Sequence, residues 1–366
     1  MVSFVTAFSL SLITTFLVLR YDHLHKHISA DHDLLGVQKF HANPVPRIGG
    51  FALIVGLLAA LAFRYFQNSD VGLFGLLLLA SAVPAFGMGF LEDVTKRVGV
   101  KARLLATAAS AGLAGFLLGA WLTSLQVLGV DDLMVAYPWL AILITCFAVA
   151  GVANAFNIID GYNGLSGMVG VIILGGIAYV AFKLSDFEIM IAALAMMGAI
   201  LGFLVFNYPR GLIFLGDGGA YLIGFWVAEL SVLLTARHPE VSKWFPLLLC
   251  AYPIFETLFT IYRRIVIHRT HPGMPDAAHL HQMIYKRVVR WAVGSNESVD
   301  IVIRNSLTAP YLWVLTAMAV IPAVLFWSNA WVLRGFALLF AVSYVSVYRS
   351  LVFFKVPKWI RVSNKK

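Results

Sequence analysis

Long apolar stretches broken by short charged ones dominate this chain. A helix needs about 20 largely apolar residues to cross a bilayer. Runs of that kind lie near 2–20, 48–66, 71–90, 104–122, 134–153, 166–183, 187–206, 218–236, 244–262, 309–327 and 330–350. The pattern predicts an all-α transmembrane bundle of about eleven spans. The pairs at 48–90 and 309–350 are crowded and joined by very short loops. No internal repeat or low-complexity segment divides the chain, so residues 1–366 read as one membrane domain.

Composition agrees. Hydrophobic residues make up 60% of the 366 positions and charged residues only 12%, against roughly half and a quarter in soluble domains. The two cysteines, Cys146 and Cys250, both lie in apolar runs and read as buried free thiols rather than a disulfide framework. The first run, Val2 to Leu19, lacks a basic leader and a small-residue cleavage site, which marks a retained span. The net charge of +9 sits between apolar runs, which points to membrane orientation and away from nucleic acid. Cationic loops mark the cytoplasmic side. One set of loops carries Arg20, Lys26, Lys39 and Arg47, then Lys96, Arg97, Lys101 and Arg103, then Arg210, the basic residues from Arg263 to Arg304, and the tail. The other set holds only Arg64, Lys183, Arg237, Lys243 and Arg334. An odd span count then predicts an outside N-terminus and a cytoplasmic C-terminus. Segments 89–103, 154–165, 207–217 and 263–308 become the cytoplasmic loops.

Acids in or beside spans are costly and usually mark function. Glu92-Asp93, Asp160 and Asp217 all fall at the predicted cytoplasmic ends, whereas Asp131-Asp132 lies on the other side and reads as a solvated loop. Glu92 and Asp93, followed by Lys96, Arg97, Lys101 and Arg103, suit a phosphate held by a divalent cation and basic side chains together. A mixed-charge stop-transfer loop would look similar. In NAFNIIDGYNGLSG, residues 154–167, Asn154, Asn157 and Asp160 recur every third position and share a helix face. Such a run in an apolar chain holds either a ligand or another helix. In FLGDGGAYLIGF, residues 214–225, Asp217 either favours a helix dipole or serves as a hard oxygen ligand, with glycines clearing room for a diphosphate. The loop HRTHPGMPDAAHLHQMIYKR, residues 268–287, holds His268, His271, His279 and His281 with Asp276 as its only acid. That is a poor zinc set and a better anion site. HANPVPRIGGF, residues 41–51, places Arg47 beside a Gly-Gly pair.

Taken together, the segments from PRIGG to HLH resemble the polyprenyl-phosphate N-acetylhexosamine-1-phosphate transferase family, and the similarity covers most of the chain. NAFNIIDGYNGL is the most specific element, similar to the family's Asn-x-x-Asn-x-x-Asp-Gly signature. GDGGAYLIGF is similar to its Gly-Asp-x-Gly segment. PDAAHLHQ resembles the loop of the bacterial undecaprenyl-phosphate N-acetylglucosamine-1-phosphate transferase branch, whereas the phospho-N-acetylmuramoyl-pentapeptide branch more often carries three consecutive histidines there. Two positions depart from the family pattern. Glu92 stands where an Asp-Asp pair is usual, and Asn163 stands where an Asp is often found.

The resemblance implies a magnesium-dependent enzyme, with manganese able to substitute, in the bacterial inner membrane with its active site facing the cytoplasm. A polyprenyl phosphate oxygen, most simply of undecaprenyl phosphate, attacks the β-phosphorus of a UDP-N-acetylhexosamine, and UMP leaves. The lipid diphosphate-sugar formed would initiate a surface polysaccharide such as a cell-wall polymer or O-antigen. It further implies catalytic roles for Glu92, Asp93, Asp160 and Asp217, with Asp217 and Asp93 as metal ligands. Arg47, Lys96, Lys101, Arg103, Asn154, Asn157, Asn163, His279 and His281 become substrate-binding candidates. N-acetylglucosamine is the expected sugar, with a muramoyl-pentapeptide or another hexosamine as rivals; a homodimer is compatible. Outside enzymes, a secondary transporter also puts acids in broken spans, but near the midplane and repeated in two halves. Neither pattern is present.

Overall fold

The structure is a computed structural model that describes residues 1–24, 30–31, 45–267, 278–289 and 298–353. Among the described residues its regular elements are helices, apart from a two-residue antiparallel pairing of Ala30–Asp31 with Val45–Pro46. In chain order the helices are α1 (Val2–Arg20), α2 (Gly49–Gln67), α3 (Ser69–Thr95), α4 (Val100–Leu118), the short α5 (Val130–Ala136), α6 (Trp139–Ile159), α7 (Leu165–Lys183), α8 (Phe187–Asn207), α9 (Gly216–Arg237), α10 (Trp244–Leu249), α11 (Ala251–Tyr262), α12 (Leu280–Ile284), α13 (Ser298–Leu325) and α14 (Ala330–Val352). Among the described residues, ten helices are long and apolar enough to cross a membrane.

The apolar run at 244–262 is not one helix. It breaks at Cys250 into α10 and α11. Pro253 has no N–H to offer the Leu249 carbonyl one turn back, so the backbone ladder is interrupted there. The spans near 71–90 and 134–153 run further than hydrophobicity alone suggests. α3 continues through Glu92 and Asp93, and α6 through Asn154 and Asn157. Polar residues at these ends keep their helical backbone because neighbouring helices take their side chains. α13 likewise begins well before 309, so Arg304 and Asn305 of the expected loop are buried helical residues.

α9 is the axis of the bundle: nearly every residue from Gly218 to Thr235 is buried. Helices α2, α3, α4, α6, α7 and α8 pack around it. Close approach depends on glycine. A Cβ at Gly50 of α2 would lie 2.7 Å from the Gly219 Cα of α9. Gly216 starts α9 at φ +76°, a left-handed conformation that disfavours other residues, and a Cβ there would also meet the Asp93 carboxylate at 2.6 Å. The start of α9 is thus drawn against the end of α3 and the segment before α2.

The bundle has two polar ends. At one, Asp131 accepts from Ser124 and the Leu125 N–H, and Gln126 accepts from Ser242 and the Lys243 N–H. Asp131 therefore organises the turn leading into α5 while remaining partly exposed, and Asp132 is exposed, in keeping with a solvated acidic pair. The other end gathers the Asn, Asp and His motifs.

Candidate functional site

At that second end a cleft of about 370 Å³ is lined by Arg47, Asn157, Asp160, Asp217, His279 and His281, with Tyr162, Asn163, Asn207, Gln282 and Asn305 completing its wall. These residues come from segments far apart in sequence. They meet because each closes or opens a helix at the same level of the bundle.

Asp217 lies in the first turn of α9, where a carboxylate is favoured by the helix dipole. The cations and amide around it go beyond that capping role. Its Oδ1 accepts from Asn157 Nδ2 at 3.0 Å and from Arg47 at 3.2 Å. Its Oδ2 is ion-paired with Arg103. Arg103 is buried and held over the Tyr221 ring, 5.6 Å from its centroid. The Tyr221 hydroxyl donates to Asn154 Oδ1 at 3.0 Å. Asn154 and Asn157 do share a face of α6, as their spacing requires. Asn157 reaches the cleft directly, while Asn154 acts behind it through Tyr221.

Asp160 lies one residue past α6 and borders the cleft. Burial pushes its carboxyl up to about 7, against the pull of Arg47.

Glu92 and Asp93 do not act as a pair. Adjacent helical residues point about 100° apart. Asp93 faces inward and is 2% exposed. Its Oδ1 accepts the Asp217 N–H at 2.7 Å and its Oδ2 the Gly218 N–H at 2.9 Å, and Arg47 lies 3.7 Å away. Glu92 turns to the other side, where its Oε2 takes the Val98 N–H at 2.6 Å and closes the turn between α3 and α4. It does not line the cleft, which corrects its expected place in the site. Lys96 and Lys101 are exposed and also lie outside the lining.

Asn163 is a loop fastener. Its N–H donates to Asn305 Oδ1 at 2.8 Å and its Nδ2 to the Pro209 carbonyl at 3.1 Å. Asn207, which the sequence reading passed over, repeats the device: its Oδ1 accepts the Gly164 N–H at 2.7 Å and its Nδ2 donates to the Ile213 carbonyl at 2.7 Å. The two amides lock the 160–164 turn to the 207–213 segment.

His279 and His281 are buried, not solvated, and their rings stack with centroids 5.1 Å apart. His279 caps α12. Its Nδ1 lies 3.0 Å from Glu256 Oε1, a residue the motifs did not flag. The signal available was an acid inside an apolar run, since burying one without partners is costly. His268, His271 and Asp276 lie outside the described residues.

Among the described residues no three His, Cys, Asp or Glu side chains form a metal cage. Asp93, expected as the second metal ligand, is buried with both oxygens on backbone N–H groups and does not line the cleft, which corrects that expectation. Asp217 and Asp160 with the Asn157 amide oxygen are the hard donors that do. Magnesium commonly binds one or two carboxylates and completes its shell with phosphate oxygens and water, and this donor set fits that habit.

The family model of glycosyl transferase family 4 matches residues 73–235. The chain is 28% identical over 254 residues to a probable undecaprenyl-phosphate N-acetylglucosaminyl 1-phosphate transferase of Bacillus subtilis, covering 68% of this chain and 67% of that one. It is 28% identical over 257 residues to the undecaprenyl-phosphate alpha-N-acetylglucosaminyl 1-phosphate transferase of Escherichia coli, with the same coverage. It is 30% identical over 198 residues to a phospho-N-acetylmuramoyl-pentapeptide-transferase of Halalkalibacterium halodurans, where the alignment spans 51% of this chain and 60% of the relative.

Proposed function

We propose, from the match of the glycosyl transferase family 4 model to residues 73–235, that this chain transfers an N-acetylhexosamine 1-phosphate from a UDP-sugar to a polyprenyl phosphate, releasing UMP. The observation that carries this reading is the cleft itself. Carboxylates, amides, an arginine and two histidines converge at the ends of membrane helices, where a water-soluble nucleotide can meet a lipid headgroup. N-acetylglucosamine is the sugar we propose, on the HLH form of the loop and on relatives of that type. A muramoyl-pentapeptide donor is the second reading, favoured by the relative at 30% identity.

The chemistry follows from charge. The acceptor's phosphate oxygen forms a bond to the β-phosphorus as the bond from that phosphorus to the bridging oxygen breaks, and UMP departs with the electron pair. A phosphate monoester has its second pKa near 6, so the nucleophile is largely ionised without a dedicated base. What the protein must supply is position and charge neutralisation. Arg47 supplies guanidinium N–H groups at the cleft, and His279 supplies a ring edge. Asn157 orients Asp217, and the Asp93 carboxylate fixes the backbone that carries it. Magnesium, held by Asp217 and Asp160, would offset the negative charge of the diphosphate.

We also read the cleft end as cytoplasmic, from the excess of Lys and Arg in its loops. Single-cysteine labelling at positions 131 and 217 from opposite sides of the membrane would support this, and labelling from the same side would refute it. The reaction itself is tested by incubating purified protein with undecaprenyl phosphate and a panel of UDP-sugars and measuring UMP. Release that depends on lipid, sugar and a divalent cation supports the reading. No release with any donor overturns it.

A further inference from the structure

Glu256 is an acid in the second half of a broken, largely apolar helix, and it is 1% exposed. Among the described residues its hydrogen bonds converge on the histidine segment and on the helix behind it. Oε1 lies 3.0 Å from His279 Nδ1 and accepts the Leu280 N–H at 3.1 Å. Oε2 accepts the Tyr344 hydroxyl at 2.9 Å. The carboxylate thereby takes the first N–H of α12 and grips the side chain of its N-cap residue, His279. His279 is further fixed by its own N–H, which donates to Gln282 Oε1 at 3.2 Å. Thr260 Oγ1 lies 3.2 Å from the same Nδ1. One flank of the ring stacks on His281, which also meets the edge of Tyr162 at 5.4 Å.

An ionised carboxylate only accepts hydrogen bonds. The proton between Glu256 and His279 therefore sits on Nδ1, and the tautomer is decided by the partner of that nitrogen. With Nδ1 turned to Glu256 and the residue lining the cleft, Nε2 is the ring nitrogen left for a ligand. We propose that Glu256 is a positioning residue that fixes the tautomer and direction of His279, so that Nε2 addresses the nucleotide diphosphate-sugar in the cleft. This rests on the transferase reading above. Glu256 touches no substrate in this account; it acts through His279 alone.

An amide at position 256 makes the informative variant. Gln is nearly the same size, yet its NH₂ can donate to Nδ1 and drive the proton to Nε2. The analogous swap in a serine protease triad keeps the geometry and loses turnover through the wrong tautomer. The test has two arms. In the first, protein carrying ¹⁵N-labelled histidine rings is examined by NMR, with the His279 signals assigned by their loss in His279→Ala. The proposal expects the Nδ1–H form in the wild type and its loss in Glu256→Gln. An Nε2–H form in the wild type overturns it whether or not any variant folds. In the second, UMP release is measured for Glu256→Gln, His279→Ala and the double variant, with the NMR protein as the source. Glu256→Gln is expected to lower kcat by at least about tenfold with KM for the UDP-sugar within about threefold. It should cost nothing further in the His279→Ala background, because the two act as one unit. Equal losses in both backgrounds would make Glu256 a structural residue and overturn the proposal. Should the wild type itself release no UMP, the transferase reading fails, and the first arm alone decides the Glu256–His279 pairing.

Discussion

The Asp93 carboxylate takes the backbone N–H groups of Asp217 and Gly218, one on each oxygen, at 2.7 and 2.9 Å. The last turn of α3 is thereby tied to the first turn of α9, and the acid that faces the cleft is set in place by an acid that stands behind it. Two acids that look equivalent in the sequence thus divide the work. Asp93→Asn leaves one of the two buried N–H groups facing an NH₂ instead of an acceptor, at a cost of about 1–3 kcal/mol. The expected result is a lower unfolding temperature in detergent together with lower turnover. Unchanged thermal stability would refute the role of Asp93 as a clamp.

Glu92 gives the opposite expectation. Its carboxylate receives the Val98 N–H at 2.6 Å and takes no part in the cleft lining. Glu92→Gln preserves an acceptor for that N–H, so turnover should stay within about threefold of wild type, as for a change that removes no transition-state contact. Steady-state rates of UMP release check this. A hundredfold loss would return Glu92 to the site.

Much of this arrangement was legible in the sequence, and the exceptions share physical causes. Hydrophobic runs located the spans, because a bilayer imposes length and composition together. The Asn-x-x-Asn-x-x-Asp spacing put Asn157 and Asp160 at the same helix end, as found. Glu92 was misjudged because adjacency in sequence is not adjacency on a helix: a rotation of about 100° sends it away from Asp93. Glu256 was missed because it lies inside the run that forms α10 and α11, with no motif around it. Asn207 and Asn305 were missed because each accepts from a backbone N–H 43 or 142 residues away, a relation that no local pattern encodes. Helix ends were drawn too short wherever polar side chains were paid for by neighbouring helices rather than by water.

Asp160 makes stability depend on pH in a defined direction. Its carboxyl is raised from 3.8 to about 7 by burial. Below about pH 4 it is neutral in the folded and unfolded chain and has no effect. Between about 4 and 7 the unfolded chain loses this proton while the fold retains it, so stability falls as pH rises; above 7 the loss is complete. The unliganded protein should therefore lose less thermal stability from pH 5 to pH 7.5 when Asp160 is replaced by Asn. Thermal unfolding in detergent across that range checks this. Parallel curves for the wild type and Asp160→Asn would show that Asp160 is ionised throughout.

The most direct test of the whole account is turnover by Asp217→Asn measured beside its thermal stability. Asp217 joins Asn157, Arg47 and the buried Arg103 around one carboxylate at the cleft, while its backbone N–H is held by Asp93. The amide keeps an acceptor for Asn157 but leaves the buried Arg103 without its carboxylate, so a lower unfolding temperature is expected and turnover is compared on protein that remains folded at the assay temperature. Its rate of UMP release from UDP-N-acetylglucosamine with undecaprenyl phosphate should fall by at least about a hundredfold, the scale of losing one electrostatic contact made in the transition state. A folded Asp217→Asn protein that retains more than about a tenth of the wild-type rate, a loss of under 1.4 kcal/mol, would contradict the assignment of this cleft as the site of phosphoryl transfer.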